Sequence, residues 1–406
     1  MSFFAVLFKE FKAIFTNISV VFVVVIGSLL YAFLYPSPYR NDILDSQKIA
    51  VVDRDNTSLS KKLIFLVQAT PQVDVKAVFI SMKEAKNLLE KDEIGGILEI
   101  PQRFESNVYR GIPSRLDYFA NASYFLIYGA VIDGILNASN ELSNQIKHQK
   151  ILLEKDRGHQ NTPQDSELIQ PNAIPLYNPS AGYINYALAA ILVFILHQTM
   201  IAGAGILGAS QNQKNLLIQK NLQKNTSDQK NIEENLQTNY FYLAPAVKLV
   251  LARITAFSMI YIVFFIFYFG FLFQFYGVHI GANIISFWCF ALMFILCCAS
   301  FGVLFGLLLS RPALPTQIVL ITSLPLVFMM GFIWPLDLIP APIVFLAHFI
   351  PAFHGIAGFV QMNQMGAPLL AVMGHFYWLA ALCVVATSLS IMILKHKKQH
   401  IGVLNG

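Results

Sequence analysis

Long apolar runs set the frame of this chain. The first extends from Ala13 to Tyr35 without a charged residue, and others cover about 181–209, 249–276, 283–309, 314–333 and 371–394. A bilayer-spanning helix needs roughly 20 predominantly apolar residues, so the pattern predicts six membrane helices. No small-residue cleavage site follows the first run, which leads into "YPSPYR"; it reads as a retained signal-anchor helix. Ahead of it, Phe4, Leu7, Phe8, Phe11 and Phe15 recur at spacings of three and four, while Lys9, Glu10 and Lys12 fall mostly on another face. That spacing predicts an interfacial amphipathic helix, either an anchor or a surface on which a soluble partner pushes.

Two stretches depart from this pattern. Within residues 36–178, "KIAVVD" (48–53), "VDVKAVF" (73–79), "GILEI" (96–100) and "SRLDYFA" (114–120) read as strands. "NTSLSKKLIFLVQA" reads as a helix with Thr57 and Ser58 as cap residues. "SMKEAKNLLEKDEIGG" reads as a helix opened by a Ser81-x-x-Glu84 capping box and closed on Gly95 and Gly96. A long helix, about Ala122 to Lys155, and a polar linker over 156–178 complete a small α/β domain between helices one and two. The other stretch, "FIWPLDLIPAPIVFLAHFIP" (332–351), is apolar but interrupted by Pro335, Pro340, Pro342 and Pro351. Irregular backbone at membrane depth survives only against protein or a water-filled cavity. Residues 334–370 therefore read as one or two short re-entrant or interfacial helices, with Pro335, Asp337, Pro340 and Pro351 as candidate parts of a transport gate. The alternative is a packed extracellular cap, with Asp337 as an interfacial helix cap.

Composition agrees with lipid as the solvent. Of 406 residues, 56% are hydrophobic and 13% charged, against about 25% charged in ordinary soluble domains. The net charge of +5 says less than the placement of the positive residues. Lys9 and Lys12 precede helix one; Lys214, Lys220, Lys224 and Lys230 lie between helices two and three; Arg311 lies between four and five; Lys395, Lys397 and Lys398 follow six. These segments share one face, read as cytoplasmic, whereas 277–282 and 334–370 carry no Lys or Arg. The expected topology is a polytopic α-helical membrane protein with six helices grouped one plus five. The α/β domain lies outside and both termini lie in the cytoplasm.

Candidate chemistry is sparse. Cys289, Cys297, Cys298 and Cys383 lie inside apolar runs without a CxxC spacing, as packing residues do. Asp53 and Asp55 flank Arg54 after a strand, where either a metal or phosphate site or a solvated turn would fit. His148 and His159 read as surface positions. His197, His348, His354 and His375 are candidate intramembrane functional groups, but they show no metal-ligand spacing, and interface packing is the alternative. No GxSxG, HExxH or GxxxxGK[ST] pattern occurs, so ATP has no phosphate loop here. Two rival functions remain: a membrane-anchored receptor or surface-structure protein, which needs only one or two spans, and an intramembrane lipid-processing enzyme, which would draw on those histidines.

"KIAVVDRDNTSLSKKL", "SMKEAKNLLEKDEIGGILEIPQRFESNVYRG" and "LDYFANASYFLIYGAVIDGIL" closely resemble the extracytoplasmic domain of type-2 ATP-binding-cassette (ABC) exporter permeases. "LYNPSAGYINY" (176–186) and "MGFIWPLDLIPAPIVFLAHFIPAFHGIAGFV" resemble later family segments in the same order. The resemblance implies a bacterial inner-membrane permease dimer, of like or unlike chains, and the few charges in the apolar runs argue for export of an amphiphilic or hydrophobic substrate. It implies a separate cytoplasmic ATPase subunit that carries ATP and Mg, with no cofactor on this chain. A periplasmic adaptor with an outer-membrane channel fits the same pattern, membrane lipids surround the chain, and no nucleic-acid partner is expected. It also implies coupling to the ATPase through residues 2–15 and the loop 210–248, in which 231–243 reads as a short coupling helix and 211–230 as a solvating stretch. Phe8, Glu10, Phe11, Glu233, Glu234 and Pro245 are the candidate coupling residues. The chain departs from the family where "NIEENLQTNYFYLAP" lacks the usual Gly-Thr.

Overall fold

The computed structural model describes residues 1–37, 46–91, 93–120, 125–156, 188–223, 240–333 and 336–403. They form two compact units, Met1–Arg40 with Leu176–Gly406, and Asn41–Pro175.

The chain opens with α1 (Phe3–Thr16) and α2 (Ile18–Leu34), whose axes bend by 80°. The apolar run that starts at Ala13 is therefore broken, and Ala13–Thr16 belong to α1. Asn17 makes the corner. Its backbone N–H donates to Ile14 O, closing α1, and its side chain accepts from Val20 N at 3.3 Å, capping α2. A π-helical stretch, Phe22–Gly27, lies inside α2.

The second unit contains β1 (Gln47–Asp53), α3 (Ser58–Gln68), β2 (Val73–Phe79), α4 (Met82–Glu90), β3 (Gly96–Ile100), α5 (Phe104–Tyr109), β4 (Asp117–Ala120) and α6 (Phe125–Asp156). Its four-stranded mixed sheet has the order β2–β1–β3–β4; β1 is parallel to β2 and β3, and β4 is antiparallel to β3. Alternate strand residues face opposite sides. Ile49, Val51, Leu98 and Ile100 pack with α3 and α6, while Ala50, Val52 and Ile97 pack with Ala85 of α4. A strand buried on both faces needs a continuous apolar run, which "KIAVVD" supplies. Two details differ from expectation. Ser81 makes no capping hydrogen bond, and α4 ends at Glu90 with Lys91 as its C-cap, before Gly95. The capping box that forms is Thr57 with Ser60, at the start of α3. The linker beyond Asp156 lies outside the described residues.

The first unit continues with α7 (Ala189–Gln223), α8 (Tyr240–Leu243), α9 (Ala246–Phe275), α10 (Ile284–Leu308), α11 (Ala313–Met329), α12 (Ala341–Ala347), α13 (Pro351–Asn363) and α14 (Met373–Val403). Among the described residues, α7, α9, α10 and α14 contain candidate spans, and the bent pairs α1–α2 and α12–α13 raise the number to six. This is a helical membrane protein with an N-terminal α/β region. α7 runs past its expected end at 209 to Gln223, so the start of the expected 210–248 loop is helical.

Small residues bring α7 and α10 together. A Cβ on Gly208 would lie 2.7 Å from the Gly306 Cα, and one on Gly306 would lie 2.8 Å from the Ala204 carbonyl oxygen. Gly302 and Gly306, with Ala204 and Gly208 opposite, form a small-xxx-small contact in which backbones touch. Phe359 of α13 stands among Phe265 and Phe269 of α9 and Phe287, Phe290 and Phe294 of α10, with ring centroids 5.1–5.7 Å away. These phenylalanines of the apolar runs are packing residues that seat α13 on the bundle.

Candidate functional site

Glu10 and Arg253 form the centre of a buried polar ring. α1 turns a face made of Val6, Leu7, Glu10 and Ile14 into the bundle, spaced one helical turn apart, while Phe4, Phe8 and Phe15 are exposed. Glu10 is thus not on the solvated face that its lysine neighbours suggest; it is fully buried. Its carboxylate accepts from Arg253 Nε at 2.8 Å and Nη2 at 3.0 Å. Arg253 Nη2 also donates to Gln211 Oε1 at 2.5 Å. Gln211 Nε2 donates to the Tyr240 hydroxyl at 3.2 Å, and that hydroxyl donates to Glu10 Oε1 at 3.1 Å. The ring joins α1, α7, α8 and α9. Burial and then the Glu10 charge push the Tyr240 hydroxyl well above its ordinary pKa, so it stays protonated and remains a donor.

Basic side chains brace the same end of the bundle. Lys9 lies over the Tyr240 ring, 5.8 Å from its centroid. Lys398 lies over Phe241 and donates to the Ala244 carbonyl. Lys397 donates to Leu307 O at 2.5 Å. Asn212 Nδ2 reaches the carbonyls of Gly306, Leu307 and Leu309 at 2.9, 3.1 and 2.7 Å, which satisfies the open C-terminus of α10. A groove of about 450 Å³ beside the ring is lined by Asn17, Ser210, Gln211, Lys214 and Tyr240 among others. Deeper in the bundle, Ser28, Thr199 and Tyr261 form a hydroxyl chain, and the Tyr268 hydroxyl donates to the Ser28 carbonyl at 2.6 Å.

The bent pair α12–α13 occupies the other end of α14. His375 and Lys397 are separated along that helix by about 33 Å at 1.5 Å per residue. α12 and α13 meet at 89°. The prolines start these helices rather than interrupt them: Pro340 is the N-cap of α12, Pro342 lies in its first turn, and Pro351 is the first residue of α13. Three of the four candidate histidines meet here. His348 Nδ1 lies 2.8 Å from Val344 O, His354 Nε2 lies 3.0 Å from His348 O, and His354 Nδ1 lies 3.0 Å from His375 Nδ1. Trp378 stacks on His354. His197 stands apart from these contacts, buried beside Phe194 without a hydrogen-bond partner among the described residues.

The remaining candidates fall as follows. Phe8 is exposed, Phe11 is partly buried against the core, and Pro245 is the exposed N-cap of α9. Asp337 and Pro340 are exposed and Pro351 is buried. Glu233, Glu234 and Pro335 lie outside the described residues, as does the expected coupling helix except for its end, α8. Arg253, Gln211, Tyr240 and Asn212 are functional candidates that sequence reading missed. The signal for Arg253 was available, since it is the one charged residue in the run 249–276 and such a residue needs a partner.

In the α/β unit, Asp53 is buried rather than solvated. It accepts from the backbone N–H groups of Asp55 and Asn56 and from the Ser60 hydroxyl. Asp55 accepts from Thr57 Oγ1 and from Glu105 N. Both carboxylates are consumed in bracing a loop, and no group of three His, Cys, Asp or Glu among the described residues could hold a metal ion.

A search of curated proteins finds no match to this chain. Residues 13–392 match the family described as "ABC-2 family transporter protein", and with that match extending over nearly its whole length, the chain belongs to the ABC-2 transporter family.

Proposed function

We propose that this chain is the permease subunit of an ATP-driven exporter that moves an amphiphilic or hydrophobic substrate out of the cytoplasm or inner membrane by alternating access. ABC-2 permeases are typically non-catalytic membrane subunits that pair with ABC ATPase subunits. On this reading a cytoplasmic ATPase carries ATP and Mg, and a second permease subunit completes the pathway. A periplasmic adaptor extends it outward.

The observation that supports this reading best is the buried ring through Glu10. α1 lies across the bend at Asn17, and its ion pair with Arg253 is desolvated on both sides, with side chains 3% and 0% exposed. A surface pair would stretch or exchange with water under load, whereas a buried one resists separation, because either charge left alone is strongly penalised. Motion delivered to α1 therefore reaches α7 and α9 instead of being absorbed at the joint. ATP shifts the inward-to-outward balance only through the difference in its effect on the two states. The spans carry few charges, which favours drugs, lipids or hydrophobic peptides over small ions.

Affinity purification of the tagged chain tests the assignment. Co-isolation of an ABC ATPase, and ATP-dependent efflux of fluorescent amphiphiles from vesicles holding both, is the expected result. A chain that purifies alone and processes a lipid without ATP would overturn it.

A further inference from the structure

We propose that His354 and His375 form a proton-operated latch that holds α13 against the start of α14 and opens when both imidazoles are charged. Hydrogen positions follow from the partners. A carbonyl oxygen only accepts, so His348 donates from Nδ1 to Val344 O, and His354 donates from Nε2 to His348 O. A neutral imidazole carries one N–H, so the Nδ1 of neutral His354 is an acceptor. The atom 3.0 Å away, His375 Nδ1, is then the donor.

The latch needs one proton between the two Nδ1 atoms. A first added proton goes to the remaining nitrogen of His375, which is partly exposed where His354 is buried. It leaves every contact intact. A second proton on the pair has no position except Nδ1 of His354. Two N–H groups then face each other at hydrogen-bond distance, and two cations adjoin. The surroundings offer no relief. α13 packs against α7, α9, α10 and α14, and none of these helices, nor α12, contains an Asp or Glu. The titratable groups that face the pair are imidazoles: His348 and His375 act on His354, and His348 acts on His375. The stacked Trp378 ring favours a cation on His354 but does not remove the repulsion between two adjoining charges. Acid therefore separates the bent pair from α14, the closed-to-open ratio falling by up to about tenfold per pH unit for each proton taken up. The latch stands apart from the transport reading, because its test follows structure and not flux.

Trp378 reports on the latch directly. The full-length chain carrying Trp288→Phe and Trp334→Phe keeps Trp378 as its sole tryptophan, and its emission is followed from about pH 8 to about pH 4, a range that spans imidazole charging with a margin for burial. The expected result is a reversible transition that is lost or moved to lower pH in His375→Gln and His354→Gln, because an amide can donate or accept and keeps the contact when the remaining histidine charges. A flat parent titration, or an unchanged transition in both folded variants, overturns the proposal. Where neither variant folds, 15N-histidine spectra of the unsubstituted chain decide. Coupled titration of two imidazoles supports the latch, and independent titration overturns it.

Discussion

Removing either partner of the Glu10–Arg253 pair should loosen α1 far more than removing both. Glu10→Leu leaves a buried guanidinium with Gln211 Oε1 as its remaining partner, and Arg253→Met leaves a buried carboxylate with only the Tyr240 hydroxyl. Stranding one charge of a buried pair costs about 3–5 kcal/mol. Replacing both by apolar side chains of similar volume is often neutral or stabilising by about 1–4 kcal/mol, so the double variant should lie close to the parent. The assay is thiol labelling of Ile14→Cys, a position 1% exposed, in a Cys289→Ser background that removes the exposed native thiol. At about 1.4 kcal/mol per tenfold, each single substitution should speed labelling about a hundredfold or more, and the double should return to within about tenfold of the parent. Additive effects, or single effects below about threefold, would refute the claim that a desolvated ion pair holds α1.

Gly306→Val places a side chain against the Ala204 carbonyl and the Gly208 backbone, and overpacking of this kind costs about 1–3 kcal/mol; a lowered apparent Tm in detergent is expected, and an unchanged one would contradict the close approach. Asn212→Leu removes the donor shared by three carbonyls at the end of α10, at about 1–3 kcal/mol, and hydrogen exchange should quicken in the last turn of that helix while its first turns stay protected. Asp55 is pushed up by burial but held below its ordinary value by its stronger combined hydrogen bonds from Thr57, Glu105 and neighbouring backbone. Its contribution is therefore complete above the unfolded carboxylate value, about 4, and is lost as pH falls through the lower folded value. Exchange protection of α3 and α5 should drop in that acid window, and Asp55→Asn should lower protection at neutral pH and flatten the dependence.

Much of the architecture was legible because its physical causes are local. The apolar run of "KIAVVD" marks a central parallel strand, and runs of about 20 apolar residues mark α7, α9, α10 and α14. The break at Asn17 is hidden because a few short polar residues inside a long apolar run look tolerable; only its capping bonds reveal a corner. The stretch 210–223 looked like a loop because it is polar, although Gln, Lys and Leu are good helix formers and α7 continues through it. The burial of Glu10 is not legible in the sequence, because i, i+3 spacing identifies faces without saying which one another helix covers. The meeting of His348, His354 and His375 depends on the 89° bend and the seating of Phe359, long-range contacts that no spacing encodes.

On the proposed reading a separate ATPase works this membrane bundle through α1. Vesicles containing the chain with its co-isolated ATPase, the chain alone, and the Glu10→Leu variant with the ATPase allow ATP hydrolysis and amphiphile efflux to be read together. Neither activity is expected from the chain alone, both are expected from the pair, and in the variant hydrolysis should persist while efflux falls sharply. Hydrolysis by the chain alone, or efflux at the parent rate in a variant whose α1 is demonstrably loosened, would contradict it.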